Sequence, residues 1–261
     1  MQQKPGFAYS SRMESTVESP EPANLPRARR VRPTATVVRA LRDLALIAAG
    51  VLLALAADSW WSERSERRAE AVLLTVMTSE LQQDLAKLAR SLEAQRSAEA
   101  ATLFVQQQIV SRAPYTSALD TMLGRVYGTG GVTLPATGAY EGLKSRGLEV
   151  VADDSLRIEI THYYENLLPG IALANDINYN VNFEVIRPYF LSHFRGVRPG
   201  ANATPLDYAA LARDPYFDNL LVYRLEVLRT SLMPRYQAAV DEGARLLGLL
   251  ETRIRRNDGA F

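Results

Sequence analysis

The chain has 261 residues, no cysteine, and 30 Lys and Arg against 29 Asp and Glu, a formal net charge of +1. Lack of cysteine excludes disulfides, thiolate catalysis and cysteine zinc sites. The near-neutral total hides a split: residues before Asp43 carry eight Lys/Arg against three Glu, net +5, which leaves −4 for the remainder. A mildly acidic remainder argues against nucleic acid as a partner, because phosphate binding needs basic surface.

Residues 1–36 are rich in Pro, Ser and Glu before turning basic, and read as a disordered tail whose arginines rest on anionic lipid. Met13 offers an alternative start. Residues 37–61 read as a transmembrane anchor. Its charge-free core, Leu44 to Ala57, includes Leu44, Leu46, Ile47, Gly50, Val51, Leu52, Leu53 and Leu55, and Trp60 and Trp61 follow it. That core is short for a hydrocarbon layer of about 30 Å. Counting from Leu41 to Trp61 restores the length, with Arg39 and Asp43 one turn apart and able to pair at the inner headgroups. Arg27, Arg29, Arg30, Arg32, Arg39 and Arg42 precede the core, against Arg64, Arg67 and Arg68 after it. Positive charge stays inside, so the N terminus is expected in the cytoplasm of a bacterial cell and the larger part in the periplasm. Ala54-Leu55-Ala56 also has the small-x-small form of a signal-cleavage site, which leaves a secreted helical protein as an alternative. Gly50 and Ala54 form a small-x3-small pair that would permit homo-oligomers through the membrane helix.

Residues 62–256 read as an all-α extramembrane domain, an irregular helical bundle continuing from the anchor, with 257–261 as a tail. Leu74, Met77, Leu81, Leu85, Leu88 and Leu92 recur at three- and four-residue steps, the seam of an amphipathic helix. The seam weakens at Gln95 and Glu99 and resumes as Leu103, Val105, Ile109 and Val110, and Arg112-Ala113-Pro114 ends the helix. A second helix is expected over Ser117–Tyr127, then a glycine- and proline-rich loop from Gly128 to Gly138. Thr137 or Gly138 opens a third helix closed at Gly147, and Asp153-Asp154-Ser155 caps a fourth running toward Phe194 with a kink or break at Pro169-Gly170. Arg195 to Pro205 reads as a surface loop. Asp214-Pro215 starts a last long helix through Leu220, Leu221, Leu225, Leu228 and Leu232, kinked near Pro234 and ending near Ile254.

Three segments together resemble a bacterial family of single-span membrane proteins of unknown function. They are Gly50 to Leu55 with Asp58-Ser59-Trp60 and Glu80-Leu81…Asp84-Leu85; Ala139 to Leu148 with Asp153 to Leu156 and Tyr163-Tyr164; and Phe217-Asp218-Asn219-Leu220. The resemblance implies the anchor and a helical fold. It implies no catalytic residues.

Local chemistry is sparse. Glu159 and His162 have the Glu-x-x-His spacing used by di-metal carboxylate bundles, but those need two such motifs, and the other histidine, His193, has no Glu three residues before it. No metal or cofactor is therefore expected. Asn175, Asn178 and Asn182 fall at i, i+3 and i+7, which reads first as a solvated face and otherwise as a polar strip that binds a ligand or sets a bundle register. Tyr163, Tyr164, Tyr179, Tyr189 and Phe190 read as core or rim before pocket lining. No catalytic triad, phosphate loop or nucleotide fingerprint is present. The expectation is a membrane-anchored module of unknown biochemical activity. It would work by binding another envelope protein or a small ligand, with its contact surface on the helices from Tyr140 to Tyr189. A membrane-anchored enzyme is the alternative, which would gather a polar concave cluster around Glu159 and His162.

Overall fold

A computed structural model describes residues 35–258 of the chain, and side-chain surroundings from Arg39 to Asn257. The tail expected over residues 1–36 lies almost wholly outside the described residues, as do the last three positions. The chain divides into a unit ending at Ala57 and a unit beginning at Asp58. The longest element, α1, covers Ala35–Val110. Its stretch up to Ala57 is exposed throughout the positions described. There Asp43 lies 3.9 Å from Arg42 rather than pairing with Arg39.

In the second unit the leucine seam of α1 is core: Leu74, Met77, Leu81, Leu88 and Leu92 are buried and Leu85 packs against them. The seam does not lapse where the apolar residues stop. It continues through Gln95, Ala98, Thr102, Val105 and Ile109, all buried, whereas Leu103 and Val110 face outward. Thr102 is accommodated because its hydroxyl donates to the Ala98 carbonyl one turn back, 2.7 Å away. Arg112, with φ 52°, turns the chain out of the helix where the sequence places its end.

Next come α2 (Ala118–Tyr127), α3 (Gly138–Arg146), a 3₁₀ turn at Leu148–Val150 and α4 (Asp154–His162). Asp153 caps α4 as expected, accepting from the Leu156 amide at 3.1 Å, and Gly147 closes α3 with φ 97°. Then come α5 (Leu168–Asn180), α6 (Arg187–His193), the short α7 (Tyr208–Leu211), α8 (Pro215–Glu226) and α9 (Met233–Asp258). Asp214 caps α8 by accepting from the Tyr216 amide at 2.9 Å, with Pro215 in the first turn.

Ahead of Pro169, where a kink or break is expected, and ahead of Pro234, where a kink is expected, the chain forms π-helical turns. Tyr163–Leu167 precedes Pro169, Val181–Ile186 precedes Pro188 and Val227–Leu232 precedes Pro234. Each proline stands two residues past a π turn. Proline has no amide to donate and its ring crowds the carbonyl one turn back, so widening that turn lets the helix continue rather than end.

The loop expected over Arg195 to Pro205 is a small antiparallel ribbon, β1 (Phe194–Arg198) with β2 (Asn202–Pro205), irregular between Arg195 and Arg198. It is too short to show alternation in sequence and owes its order to docking on α2. Gly124 makes this possible: a Cβ there would fall 2.2 Å from the Asn202 nitrogen. The Gly200 amide donates to the Gly124 carbonyl at 2.8 Å, and Thr204 Oγ1 donates to Asp120 at 2.6 Å.

Carboxylates of α1 tie connecting segments to the bundle. Asp84 accepts from the Ala136 amide at 2.6 Å, and Glu80 from the Ala139 amide, 3.2 Å away, in the first turn of α3. Buried Glu70 takes two hydrogen bonds from Arg253 at 3.0 Å and others from Asn257 and the Ala152 amide. A negative charge can stay buried there because several donors replace the water it gives up.

Candidate functional site: a glycine loop held by buried side chains

The loop between α2 and α3 starts Gly128-Thr129-Gly130-Gly131, with φ of 74° at Gly130 and 73° at Gly131. Side chains carrying a bulky Cβ rarely adopt that backbone. The loop is held by its carbonyls. Asn182 donates to the Tyr127 carbonyl at 2.7 Å, Asn178 to that of Thr129 at 2.9 Å and Asn175 to that of Thr133 at 3.0 Å. The i, i+3, i+7 strip thus faces inward, and Asn178 is fully buried. The solvated-face reading is overturned, for a reason invisible in the helix itself: the partners are backbone groups of a loop about 50 residues earlier.

Arg224 of α8 completes the lock. It is fully buried, donating to Asn178 Oδ1 at 2.5 Å and to the Gly128 carbonyl at 2.6 Å. Burial pushes its guanidinium down to about 10, still protonated at neutral pH. Among the described residues no carboxylate pairs with it, and its Nε has no hydrogen-bond partner. Gln95 Nε2 donates to the Gly131 carbonyl at 3.2 Å. Tyr236 Oη accepts from the Thr133 amide at 2.9 Å and lies 2.8 Å from Asn175 Oδ1, to which it donates.

Glu159 and His162 do line an open groove, of about 690 Å3, with Leu148, Ile158, Asn166 and Arg245. Arg245 grips both carboxylate oxygens of Glu159, at 2.9 and 2.6 Å, and also donates to Glu242 at 2.8 Å. These bonds hold Glu159 below its ordinary carboxylate range, away from the value that suits a proton acceptor near neutrality. His162 Nδ1 lies 3.2 Å from the Asn166 amide nitrogen. Among the described residues no cluster of three or more His, Asp or Glu converges on a metal-sized point. His193 stacks on Tyr189, ring centres 4.0 Å apart.

The tyrosines divide. Tyr163, Tyr164, Tyr189 and Phe190 are core, and so is Tyr140, which stacks on Tyr164 at 4.7 Å. Tyr179 alone of that set is exposed, stacked on Phe183 at 5.5 Å. A contact surface between Tyr140 and Tyr189 therefore cannot use either end residue. In the expected anchor, Leu44, Leu46, Ile47, Val51, Leu52, Leu53, Leu55, Trp60 and Trp61 are each more than half exposed, and nothing lies within 4 Å of a Cβ placed on Gly50.

Residues 43–184, more than half of the chain, match the family of unknown function DUF6090. The chain belongs to this family. The match takes in the apolar stretch, Glu80, Asp84, the glycine loop and the asparagine strip, and ends before Arg224 and Phe217. No curated protein and no solved structure matches the chain. Two of the resembling motifs now have physical roles in this DUF6090 member: Glu80 and Asp84 satisfy loop amides, and Tyr163-Tyr164 is core. The lock was missed in sequence because Arg224 lies 46 residues from Asn178 and 96 from Gly128, so no local pattern joins them.

Proposed function

We propose that the chain is a single-span protein of the bacterial inner membrane whose domain from Asp58 onward works by binding in the periplasm. The observation that carries this reading is in α1. It holds a stretch with a mean hydropathy of 2.0, long and apolar enough to cross a membrane, and none of that stretch is buried within the protein. Exposing so many large apolar side chains to water is unfavourable by about 25 cal/mol per Å2, whereas lipid accepts them without that cost. The anchor residues are Leu44, Leu46, Ile47, Gly50, Val51, Leu52, Leu53 and Leu55, with Trp60 and Trp61 at the outer headgroups. The six arginines from Arg27 to Arg42, against three just after the stretch, support an N terminus in the cytoplasm.

Binding is preferred to catalysis because the groove at Glu159 presents a carboxylate already paired with Arg245, while the loop from Gly128 is shaped by buried side chains. The chain has no cysteine, so a single one at exposed Ala201 gives a clean label. In cells with a permeabilised outer membrane, a membrane-impermeant maleimide should label Ala201→Cys. Protection lifted only on opening the inner membrane would place the domain in the cytoplasm instead.

A further inference from the structure

We infer that the glycine loop forms one wall of a binding site for a phosphate group, free or esterified; this names a ligand class for the binding domain proposed above and rests on that reading. A cavity of about 230 Å3 is lined by Ser97, Arg125, Thr129, Gly130, Gly131 and Gly200, among others. Neither Arg224 nor Asn178 is among the residues that line it.

Peptide geometry decides what the loop offers there. In a planar trans peptide the carbonyl and the following amide point in opposite directions. The Gly128 carbonyl points at Arg224, so the Thr129 amide points away from it; the Thr129 carbonyl points at Asn178, so the Gly130 amide points away as well. Among the described residues neither amide, nor that of Gly131, has a protein acceptor. Successive amides freed in a glycine loop make a concavity suited to an anion. Arg125 is exposed at the rim with no carboxylate partner among the described residues, and half-buried Ser97 has a hydroxyl without a partner there. Behind the loop stands the buried Arg224 cation, with one guanidinium nitrogen 3.2 Å from where a Gly130 Cβ would be. A positive charge kept from water, with no carboxylate paired to it among the described residues, favours an anion nearby. No acidic side chain is among the residues lining the cavity. This arrangement does not need a phosphate-loop motif, because the loop is shaped by side chains from other elements.

The test uses the full chain in detergent and isothermal titration with inorganic phosphate and, in parallel, glycerol 3-phosphate. Saturable binding of either is expected, weakened about tenfold or more by Arg125→Gln and by less in Ser97→Ala, since hydrogen bonds to charged groups are the stronger ones. Arg213→Gln, an exposed arginine outside the cavity, should bind as the unaltered chain does. Tighter binding of phosphate identifies a free ion as the ligand, and tighter binding of glycerol 3-phosphate identifies an ester; either supports the site. No saturable binding of either below about 10 mM, or Arg125→Gln binding as tightly as the unaltered chain, overturns it. Those outcomes leave the membrane reading standing, because labelling at position 201 reports on it independently.

Discussion

The stretch from Leu44 to Ala57 is apolar and exposed, whereas Asn178 and Arg224 are polar and fully buried. The same rule governs both. A side chain settles where its surroundings replace what water would give it. The asparagines and Arg224 find loop carbonyls in place of water, and so can be buried. The leucines from Leu44 to Leu55 are exposed, and on the reading proposed above lipid is the medium that suits them.

Changing polarity in each region is the sharpest way to break this comparison. Leu52→Arg with Leu53→Arg should have the largest effect, about 2.5 to 3.5 kcal/mol of lost insertion for each charge. Fractionation should find the double variant released from membranes or degraded, and full retention would remove the anchor. Leu81→Ala, in the buried seam, should cost the domain about 2 to 5 kcal/mol. A denaturation midpoint within error of the parent would place Leu81 at the surface. Asn178→Leu keeps the size but strands the Thr129 carbonyl and a guanidinium nitrogen of Arg224, and should cost about 2 to 3 kcal/mol. A neutral result would mean that the strip is solvated after all.

The smallest effect concerns acid. Asp214 accepts from Tyr189 Oη and from the Tyr216 amide, and the Tyr189 bond leads in lowering it from its ordinary range. A carboxyl lowered in the folded state contributes stability that is present above its unfolded value and fades as pH falls through the lowered one. Unfolding curves at descending pH should therefore show a shallower acid limb for Asp214→Asn, by under about 1 kcal/mol at this partly exposed position. Identical limbs would deny the bond its role.

The long apolar stretch of α1, the seam to Leu92, the caps at Asp153 and Asp214 and the close at Gly147 were legible because each is set by composition, by spacing along one helix or by a few neighbouring residues. Gln95 and Thr102 broke the apolar pattern of α1 without leaving its buried face, since each has a hydrogen-bond partner that periodicity does not register. At the prolines a sequence shows the lost amide but not the π turn that accommodates it. The ribbon at Phe194 depends on a gap at Gly124, 70 residues earlier in the chain. The spacing of the asparagines shows a strip but not the side it faces, because its direction is set by the loop and by Arg224 rather than by the helix it belongs to.

Trp60 and Trp61 are the only tryptophans in the chain, so its tryptophan fluorescence reports the C-terminal end of the apolar stretch directly. The measurement is quenching of that emission in reconstituted vesicles by lipids brominated at different depths along the acyl chain. The anchor reading predicts blue-shifted emission quenched most by the shallowest bromines, as befits indoles at headgroup level. Emission at the wavelength of tryptophan in water, unquenched at every depth, would contradict it.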